Sequence, residues 1–147
     1  CKKLTSLNLS GCDRIKDISD LQHCQELTDL NLTWCKQIKD ISFLKNCKGL
    51  KSLDLSWCRQ IKDITLQNYE GLISLDLTGV EQIKDIDFLQ NCRDLTSLNL
   101  SSCRQIKDLS FLQHCKQLIS LDINACPQIN YLVTPNIRRM GIEFVRN

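Results

Sequence analysis

Residues 27–35 read Leu-Thr-Asp-Leu-Asn-Leu-Thr-Trp-Cys, and this stretch contains the pattern that organises the whole chain. Its later leucines alternate with polar residues, which predicts a short strand with one buried face. The pattern Leu-x-x-Leu-x-Leu recurs at steps of 23, 23, 22, 23 and 23 residues, and the units begin at Leu4, Leu27, Leu50, Leu72, Leu95 and Leu118. Strands that recur at this interval must run parallel, because each returns by a crossover connection.

The second half of each unit predicts a short helical segment on the opposite side of the repeat. In the second unit Ile38 and Ile41 are predicted to be buried, and about six residues follow, enough for one turn of α- or 3₁₀-helix. The position after the second isoleucine holds a residue type that favours helix N-caps. The predicted caps are Ser19, Ser42, Thr65, Asp87 and Ser110.

The spacing Leu-x-x-Leu-x-Leu-x-x-Cys resembles the leucine-rich-repeat family over nearly the whole chain. The run Ile38-Lys39-Asp40-Ile41-Ser42-Phe43-Leu44 is similar to the second half of internalin-type repeats, whereas the cysteine resembles the cysteine-containing repeats of F-box-type proteins. The resemblance implies an α/β fold: a right-handed leucine-rich-repeat solenoid with a parallel sheet on its concave side and short 3₁₀ or α turns on its convex side.

Two segments are predicted. Residues 1–136 form an array of about six repeats, and residues 137–147 form a terminal strand or half-repeat that caps the C-terminus. Cys1 aligns with the middle of a repeat, so we expect the first repeat to be truncated and the chain to be a fragment of a longer protein. The third repeat is one residue short at Ile64-Thr65-Leu66, where we expect a slightly altered convex surface.

The charge distribution gives little support for nucleic-acid or membrane binding. The formal net charge is +2 in 147 residues, and no apolar run approaches the roughly 20 residues that a bilayer requires. A row of lysines begins at Lys16 and Lys39, but an aspartate follows each one directly, so a solvated charge ladder is the favoured interpretation. We therefore expect neither a nucleic acid nor a membrane as partner.

The ten cysteines fall into two ladders, both interpreted as reduced structural thiols. Val80 and Tyr69 replace a cysteine in one repeat each, which indicates packing rather than metal ligation. Disulfides and a metal ladder are the less favoured alternatives. So many free thiols predict a reducing, cytoplasmic location. The ladders are Cys12, Cys35, Cys58, Cys103 and Cys126 after the strands, and Cys1, Cys24, Cys47, Cys92 and Cys115 in the convex segments.

No arrangement in the sequence favours catalysis. His23 and His114 lie four repeats apart, roughly 19 Å at the spacing of neighbouring strands. No cysteine is matched with a histidine and an orienting group, and no glycine-rich phosphate loop occurs. We expect no enzymatic activity, no cofactor and no metal site.

The predicted partner-binding residues are Trp34 and Trp57, with Asp29, Asp54 and Asp76 beside them. The tryptophans share a slot just after the strand that holds Gly, Ser or Ala in the other repeats, so the slot does not demand a large apolar side chain. Two adjacent rings at the concave rim make a plausible binding hot spot. The competing interpretation is that they only stack on each other, just as the polar sheet face could be merely solvated.

The predicted function is protein–protein recognition by a non-catalytic module or scaffold, through the concave face and its rim. Three alternatives stay open at this point: the substrate-recognition arm of an F-box-type ubiquitin-ligase adaptor, a microbial or viral effector, and a structural subunit of a larger assembly. Each is compatible with a scaffold of copied repeats, because scaffold residues carry little information about the partner.

Overall fold

A computed structural model describes residues 2–64, 69–129 and 141–145. Its strands form one seven-stranded parallel sheet in which the order in space is the order in sequence. Each strand is three residues long because only the Leu-flanked centre of a repeat keeps the extended pattern. The strands are β1 Ser6–Asn8, β2 Asp29–Asn31, β3 Ser52–Asp54, β4 Ser74–Asp76, β5 Ser97–Asn99, β6 Ser120–Asp122 and β7 Glu143–Val145.

The register places equivalent residues of successive repeats side by side. Leu7 pairs with Leu30, Leu30 with Leu53, and Leu53 with Leu75. This column of leucines points into the core, and its interior members are at most 2% exposed. Leu7, at the end of the stack, is only partly buried, because no described repeat covers it. Stacking therefore buries the leucines, as expected when each repeat contacts only its neighbours.

The described helical segments of the convex side are all 3₁₀: Ser19–His23, Ser42–Asn46, Asp87–Asn91 and Ser110–Gln113. The predicted N-caps are wrong for these four segments. The cap position belongs to Ile18, Ile41, Ile86 or Leu109, and no side chain caps any of them. The predicted cap Thr65 and the shortened stretch of the third repeat lie outside the described residues.

An aspartate two residues upstream accepts the backbone hydrogen bond that the cap residues were expected to accept. Oδ1 of Asp40 accepts a hydrogen bond from the backbone N–H of Ser42 at 2.7 Å. Asp17, Asp85 and Asp108 make the same bond in their repeats, at 2.7–2.8 Å. The geometry is that of an Asx turn, in which a short carboxylate mimics the backbone of a turn. The aspartate row therefore starts the 3₁₀ segments as well as carrying charge.

Thiols of both cysteine ladders tie several repeats to the preceding one. The thiol of Cys58 donates to the carbonyl of Leu32 at 3.0 Å, and that of Cys115 donates to the carbonyl of Leu89 at 3.3 Å. None of the nine described cysteines forms a disulfide, and all except Cys12 are buried. Tyr69 and Val80 are buried in the same ladders, and the Tyr69 hydroxyl donates to the carbonyl of Leu44. These contacts support the packing interpretation of both replacements.

Strand β7 extends the sheet beside β6, and Phe144 pairs with Leu121. Residues 130–140, 146 and 147 lie outside the described part, and with them most of the basic residues expected at this end. The proposed boundary at residue 136 and the capping role of residues 137–147 stay predictions. Among the residues that are described, no helix is long and apolar enough to cross a membrane.

Candidate partner-binding surface

The slot that holds Trp34 and Trp57 has a left-handed backbone in every repeat where it is described. We call this row of residues the exit rim, because it lies where the chain leaves each strand. Its φ values lie between 55° and 75° in Gly11, Trp34, Trp57, Gly79, Ser102 and Ala125. Such a conformation suits glycine and is unusual for a bulky residue. Gly11 and Gly79 already indicate a left-handed backbone in the sequence, but the sequence-based prediction did not include it.

A tryptophan in this slot carries a backbone cost that its glycine counterparts avoid, on the order of 1–2 kcal/mol. The backbone N–H of Trp57 still donates to the carbonyl of Thr78, just as that of Gly79 donates to Ser101. The slot's hydrogen bonding is thus the same with either residue. The tryptophans therefore add side-chain surface to a turn that does not need it.

The structure brings the two rings together in a parallel stack. The ring centroids of Trp34 and Trp57 are 5.1 Å apart, and the ring planes differ by 13°. Trp34, at the outer end of the stack, is 42% exposed, whereas Trp57 is only partly exposed. Stacking removes part of the apolar surface from water and leaves a flat aromatic face at the rim.

The inner end of the stack rests on Gly79. A Cβ atom at Gly79 would lie 2.6 Å from Cε3 of Trp57, so only glycine lets the ring lie this close. The other end is open, because a Cβ atom at Gly11 would meet nothing within 4 Å. The ring pair is therefore supported from one side and accessible from the other.

Two cations flank the rings. Nζ of Lys36 lies 5.2 Å from the centroid of the Trp34 ring, and Cζ of Arg59 lies 5.2 Å from that of Trp57. Arg59 also forms an ion pair with Glu81 at 3.6 Å. This is the one ion pair found in the described part of the chain. The aromatic pair thus has a basic border on the side that follows the exit rim.

The concave floor consists of the strand residues that alternate with the leucines, and its central row is a ladder of turns. Oδ1 of Asp54 and of Asp76 each accepts a backbone N–H two residues ahead, at 2.8 Å. Asn8, Asn31, Asn99 and Asp122 do the same at 2.8–2.9 Å. The turn needs only an Asx side chain, so the negative charge of the aspartates is additional to it.

The predicted aspartates do not form one cluster. Asp54 and Asp76 are register partners in neighbouring strands, whereas Asp29 occupies the first position of its strand and pairs with Ser52. Oδ2 of Asp29 lies 2.7 Å from the Thr28 hydroxyl, whose single proton is shared between this carboxylate and the carbonyl of Thr5. The sheet face therefore presents carboxylates in two rows, and the tryptophans lie beyond its end rather than among them.

A second row of rim residues was missed by sequence reasoning. We call it the entry rim, because its members precede the strands: Thr5, Thr28, Lys51, Ile73, Thr96 and Ile119. Ile73 is 40% exposed and Ile119 is 61% exposed. The backbone N–H of Thr96 donates to the carbonyl of Ile73, and that of Ile119 donates to the carbonyl of Thr96, so these three residues are immediate neighbours. A comparison of the repeats slot by slot would have revealed the two isoleucines.

Two aspartates of the convex side, Asp17 and Asp40, have lowered pKa values. The backbone N–H and hydroxyl of Ser42 lower the pKa of the Asp40 carboxyl, and Ser19 lowers the pKa of Asp17 in the same way. In contrast, burial raises the pKa of the Cys58 thiol to about 12, with a further contribution from neighbouring Cys35. Buried thiols of this kind are poor nucleophiles and poor metal ligands, since both roles require the thiolate.

Within the described ranges no group of three or more His, Cys, Asp and Glu side chains is placed to hold a metal ion. The concave floor instead presents small polar side chains, and the two rims that border it carry apolar groups. A face of this kind is suited to contact with another macromolecule, because it offers area and spaced anchors rather than an enclosed pocket.

These features define a solenoid of short parallel strands and 3₁₀ turns, and the sequence comparison assigns it to a family. The family described as Leucine Rich repeats (2 copies) matches residues 2–46 and 70–114, and a second description, Leucine Rich repeat, matches residues 46–64. The chain belongs to the leucine-rich-repeat family. No curated protein matches the sequence at a significant level.

Solved structures of internalins show the same fold. Internalin C2 from Listeria monocytogenes is 26% identical to this chain and has a TM-score of 0.80. The match covers 99% of this chain and 62% of that one. A second internalin of the same organism, inlF, is 22% identical with a TM-score of 0.65, and the match covers 97% of this chain and 47% of that one. The chain therefore spans less than two thirds of either internalin chain.

Proposed function

We propose that this protein is a non-catalytic recognition module that binds a protein partner through the concave floor and the stacked tryptophans of the exit rim. The carrying observation is the pair Trp34 and Trp57, which stack with 5.1 Å between centroids in a slot that favours glycine. Family membership supports the general role, since leucine-rich repeats serve as interaction modules. Neither the tryptophan pair nor the family membership identifies the particular partner.

The location of the tryptophans makes a purely structural role a poor explanation. Gly11 occupies the same slot with no side chain, and its repeat keeps the same turn and the same backbone hydrogen bond, to Thr33. Sequences violate a local preference mostly where function requires it. Tryptophan is enriched among the residues that contribute most of the binding energy at protein interfaces.

The floor contributes charge to the proposed contact. Asp29, Asp54 and Asp76 are exposed or half-buried, and the asparagines in equivalent places make the same turn bonds without a charge. The carboxylates of Asp54 and Asp76 carry the charge that attracts a basic partner, although each commits Oδ1 to its turn and Oδ2 of Asp76 also accepts a hydrogen bond from the Asn99 amide at 3.4 Å. Complementary charge of this kind contributes mainly to the association rate and to specificity.

The test is a pull-down under reducing conditions from the organism that encodes the chain, with the wild type and Trp34→Gly/Trp57→Gly as baits. Glycine is matched to the slot, since the chain places it there twice, so the variant is expected to fold. We expect a partner that is lost with the variant and that binds the purified wild type directly. Retention of every partner by the variant would refute the proposed site.

A second pair of baits separates charge from structure on the floor. Asp54→Asn/Asp76→Asn keeps both turn bonds, because asparagine fills the same slot in β1, β2 and β5. We expect this variant to keep its thermal stability and to bind the partner several-fold more weakly at low salt. Unchanged binding would remove the aspartates from the contact and leave the tryptophans as its only tested element.

We also propose that the protein works in a reducing, cytoplasmic compartment. The support is chemical: the nine described cysteines are thiols rather than disulfides, and burial raises the pKa of several of them. Trapping thiols with an alkylating reagent in intact cells, followed by peptide mapping, should find these cysteines reduced. Disulfides between neighbouring repeats in that experiment would contradict the proposed location.

A further inference from the structure

The entry rim carries an apolar pair that no structural requirement explains. Thr28 and Thr96 each donate a side-chain hydrogen bond to the carbonyl of the preceding repeat, to Thr5 at 2.9 Å and to Ile73 at 3.1 Å. Ile73 and Ile119 occupy the same row and cannot make that bond. They are instead 40% and 61% exposed. Both positions exchange a hydrogen bond for apolar surface in contact with water.

The two isoleucines are close enough to act as one anchor. One strand, that of Thr96, separates them, which places them about 10 Å apart at the usual spacing of parallel strands. The tryptophan pair lies on the opposite rim, six residues along the chain from the row of Ile73, or roughly 20 Å across the face. The apolar anchors therefore lie at opposite corners of the concave floor.

The floor between these corners is acidic. Its carboxylates are Asp29, Asp54, Asp76 and Asp122, with Glu143 at the C-terminal end, and the described strands contain no lysine or arginine. Lys51 is the one cation of the entry rim. A segment that crosses the floor from one anchor to the other passes the carboxylates of Asp54, Asp76 and Asp122 and no strand cation, with the uncharged strand β5 between the last two. Lys36 and Arg59 lie only at the tryptophan end of this path.

We infer that Ile73 and Ile119 form a second docking anchor, and that the surface takes a basic segment of a partner protein whose apolar side chains lie at both ends, roughly 25 Å apart. The length follows from three strand spacings along the sheet and the width of the face. The charge of the segment follows from the floor, because every charged residue in the described strands is a carboxylate. This inference rests on the proposed function, because it uses the tryptophan pair as its other end.

The probe is a phage-displayed library of random 20-residue peptides, selected on the wild-type protein in reducing buffer. We expect enrichment of peptides that carry several Lys or Arg between apolar residues. Peptides rich in Asp or Glu, or no enrichment relative to a parallel selection on Ile73→Thr/Ile119→Thr, would overturn the inference. Threonine is matched to this row, so the comparison variant is expected to fold.

Titration of one enriched synthetic peptide separates the two proposals. Ile73→Thr/Ile119→Thr should weaken its Kd about tenfold, and raising NaCl from 50 to 300 mM should weaken it several-fold, because surface charges are screened by salt. Lys51→Thr is the control in the same row and should bind equally well or more tightly, because it removes a like charge. Binding unaffected by the isoleucine variant overturns the second anchor. Loss with that variant but not with Trp34→Gly/Trp57→Gly overturns the tryptophan site instead.

Discussion

At the scale of single residues, equivalent positions of successive repeats share one backbone conformation, but some repeats place an unusual residue type there. The exit rim shows this most clearly: a left-handed turn accepts Gly, Ser or Ala, yet two repeats place tryptophan there. The two rings stack on each other, and the ring of Trp57 also packs against Gly79. Because Gly79 combines positive φ with direct ring contact, it is the residue where the cost of the tryptophan stack can be measured.

Gly79→Ala should destabilise the protein by about 2–4 kcal/mol, because the new methyl group adds overpacking against Trp57 to the cost of a left-handed alanine. Gly11→Ala has the same kind of φ and open space, so it should cost only about 1–2 kcal/mol. Urea unfolding followed by circular dichroism measures both free energies.

The Trp57→Gly background provides the decisive control for that prediction. With the ring removed, Gly79→Ala should cost about the same as Gly11→Ala, because only the backbone term remains. An equal cost of Gly79→Ala with and without Trp57 would show that the ring does not rest on the glycine.

At the scale of elements, each convex 3₁₀ segment begins at an Asx turn rather than at a capped N-terminus. Asp40 illustrates the arrangement, since its carboxylate holds the N–H of Ser42 at 2.7 Å and its pKa is lowered as a result. The segments are too short to be stable alone, so the turn and the stacking on neighbouring repeats must hold them. This gives the aspartate row a structural role beside its charge.

Asp40→Ala should cost about 0.5–1 kcal/mol, at the lower end of the range for lost caps because the site is exposed to solvent. Asp40→Asn should cost less, since its amide oxygen can still accept the bond. Lys39→Ala is the neighbouring control and should change the stability by less than about 0.5 kcal/mol. Urea unfolding of the three variants at pH 7 tests the order.

The same bond has a pH signature. The pKa of Asp40 is lower when folded than when unfolded, so its contribution is present above the unfolded value near 4 and is lost as the pH falls through the folded pKa. The difference between wild type and Asp40→Ala should therefore shrink when unfolding is measured at pH 3. A difference that stays constant would mean that the carboxylate charge contributes nothing to the turn.

At the scale of the whole molecule, the thiol ladders run from repeat to repeat and link the stack. In the cysteine ladder that follows the strands, four thiols each donate to a leucine carbonyl of the preceding repeat at 2.9–3.1 Å: those of Cys35, Cys58, Cys103 and Cys126. Because the thiols are buried in their neutral form, the ladders tie the stability of the array to pH. Burial raises the pKa of Cys92 to about 12 and that of Cys115 to about 11.

The array should lose stability in alkaline solution. A thiol has a pKa near 8.5 in the unfolded chain and a higher one here, so its contribution is complete below about pH 8.5 and is lost as the pH rises toward 11–12. Urea unfolding at pH 7.5 and pH 10 should show the decrease. Cys58→Val/Cys103→Val should lose less stability between these two pH values, and valine is matched because Val80 fills the slot. Equal losses in variant and wild type would exclude the thiols as the cause.

The sequence by itself determined the repeat, the parallel sheet, the buried leucine and isoleucine columns and the packing role of the cysteines. It could do so because spacing and side-chain alternation are local properties that copying across six units makes unambiguous. It also placed Trp34 and Trp57 in one slot. The N-cap prediction failed because several polar residues near a short segment can satisfy its first N–H, and only the backbone path selects Asp40 over Ser42.

The tertiary structure alone decided which face each exposed side chain shares with residues from other repeats. It revealed the left-handed backbone beneath the tryptophans, the rest of the Trp57 ring on Gly79, and the exposed Ile73 and Ile119 on the opposite rim. The ring contact joins residues 22 positions apart, and neighbours in the row of Ile73, Thr96 and Ile119 are 23 positions apart, so neither can be read from a local stretch of sequence. The local sequence pattern determines the repeat. The stacking of the repeats determines which of the unusual residues, such as the two tryptophans and the two isoleucines, lie close together on one surface.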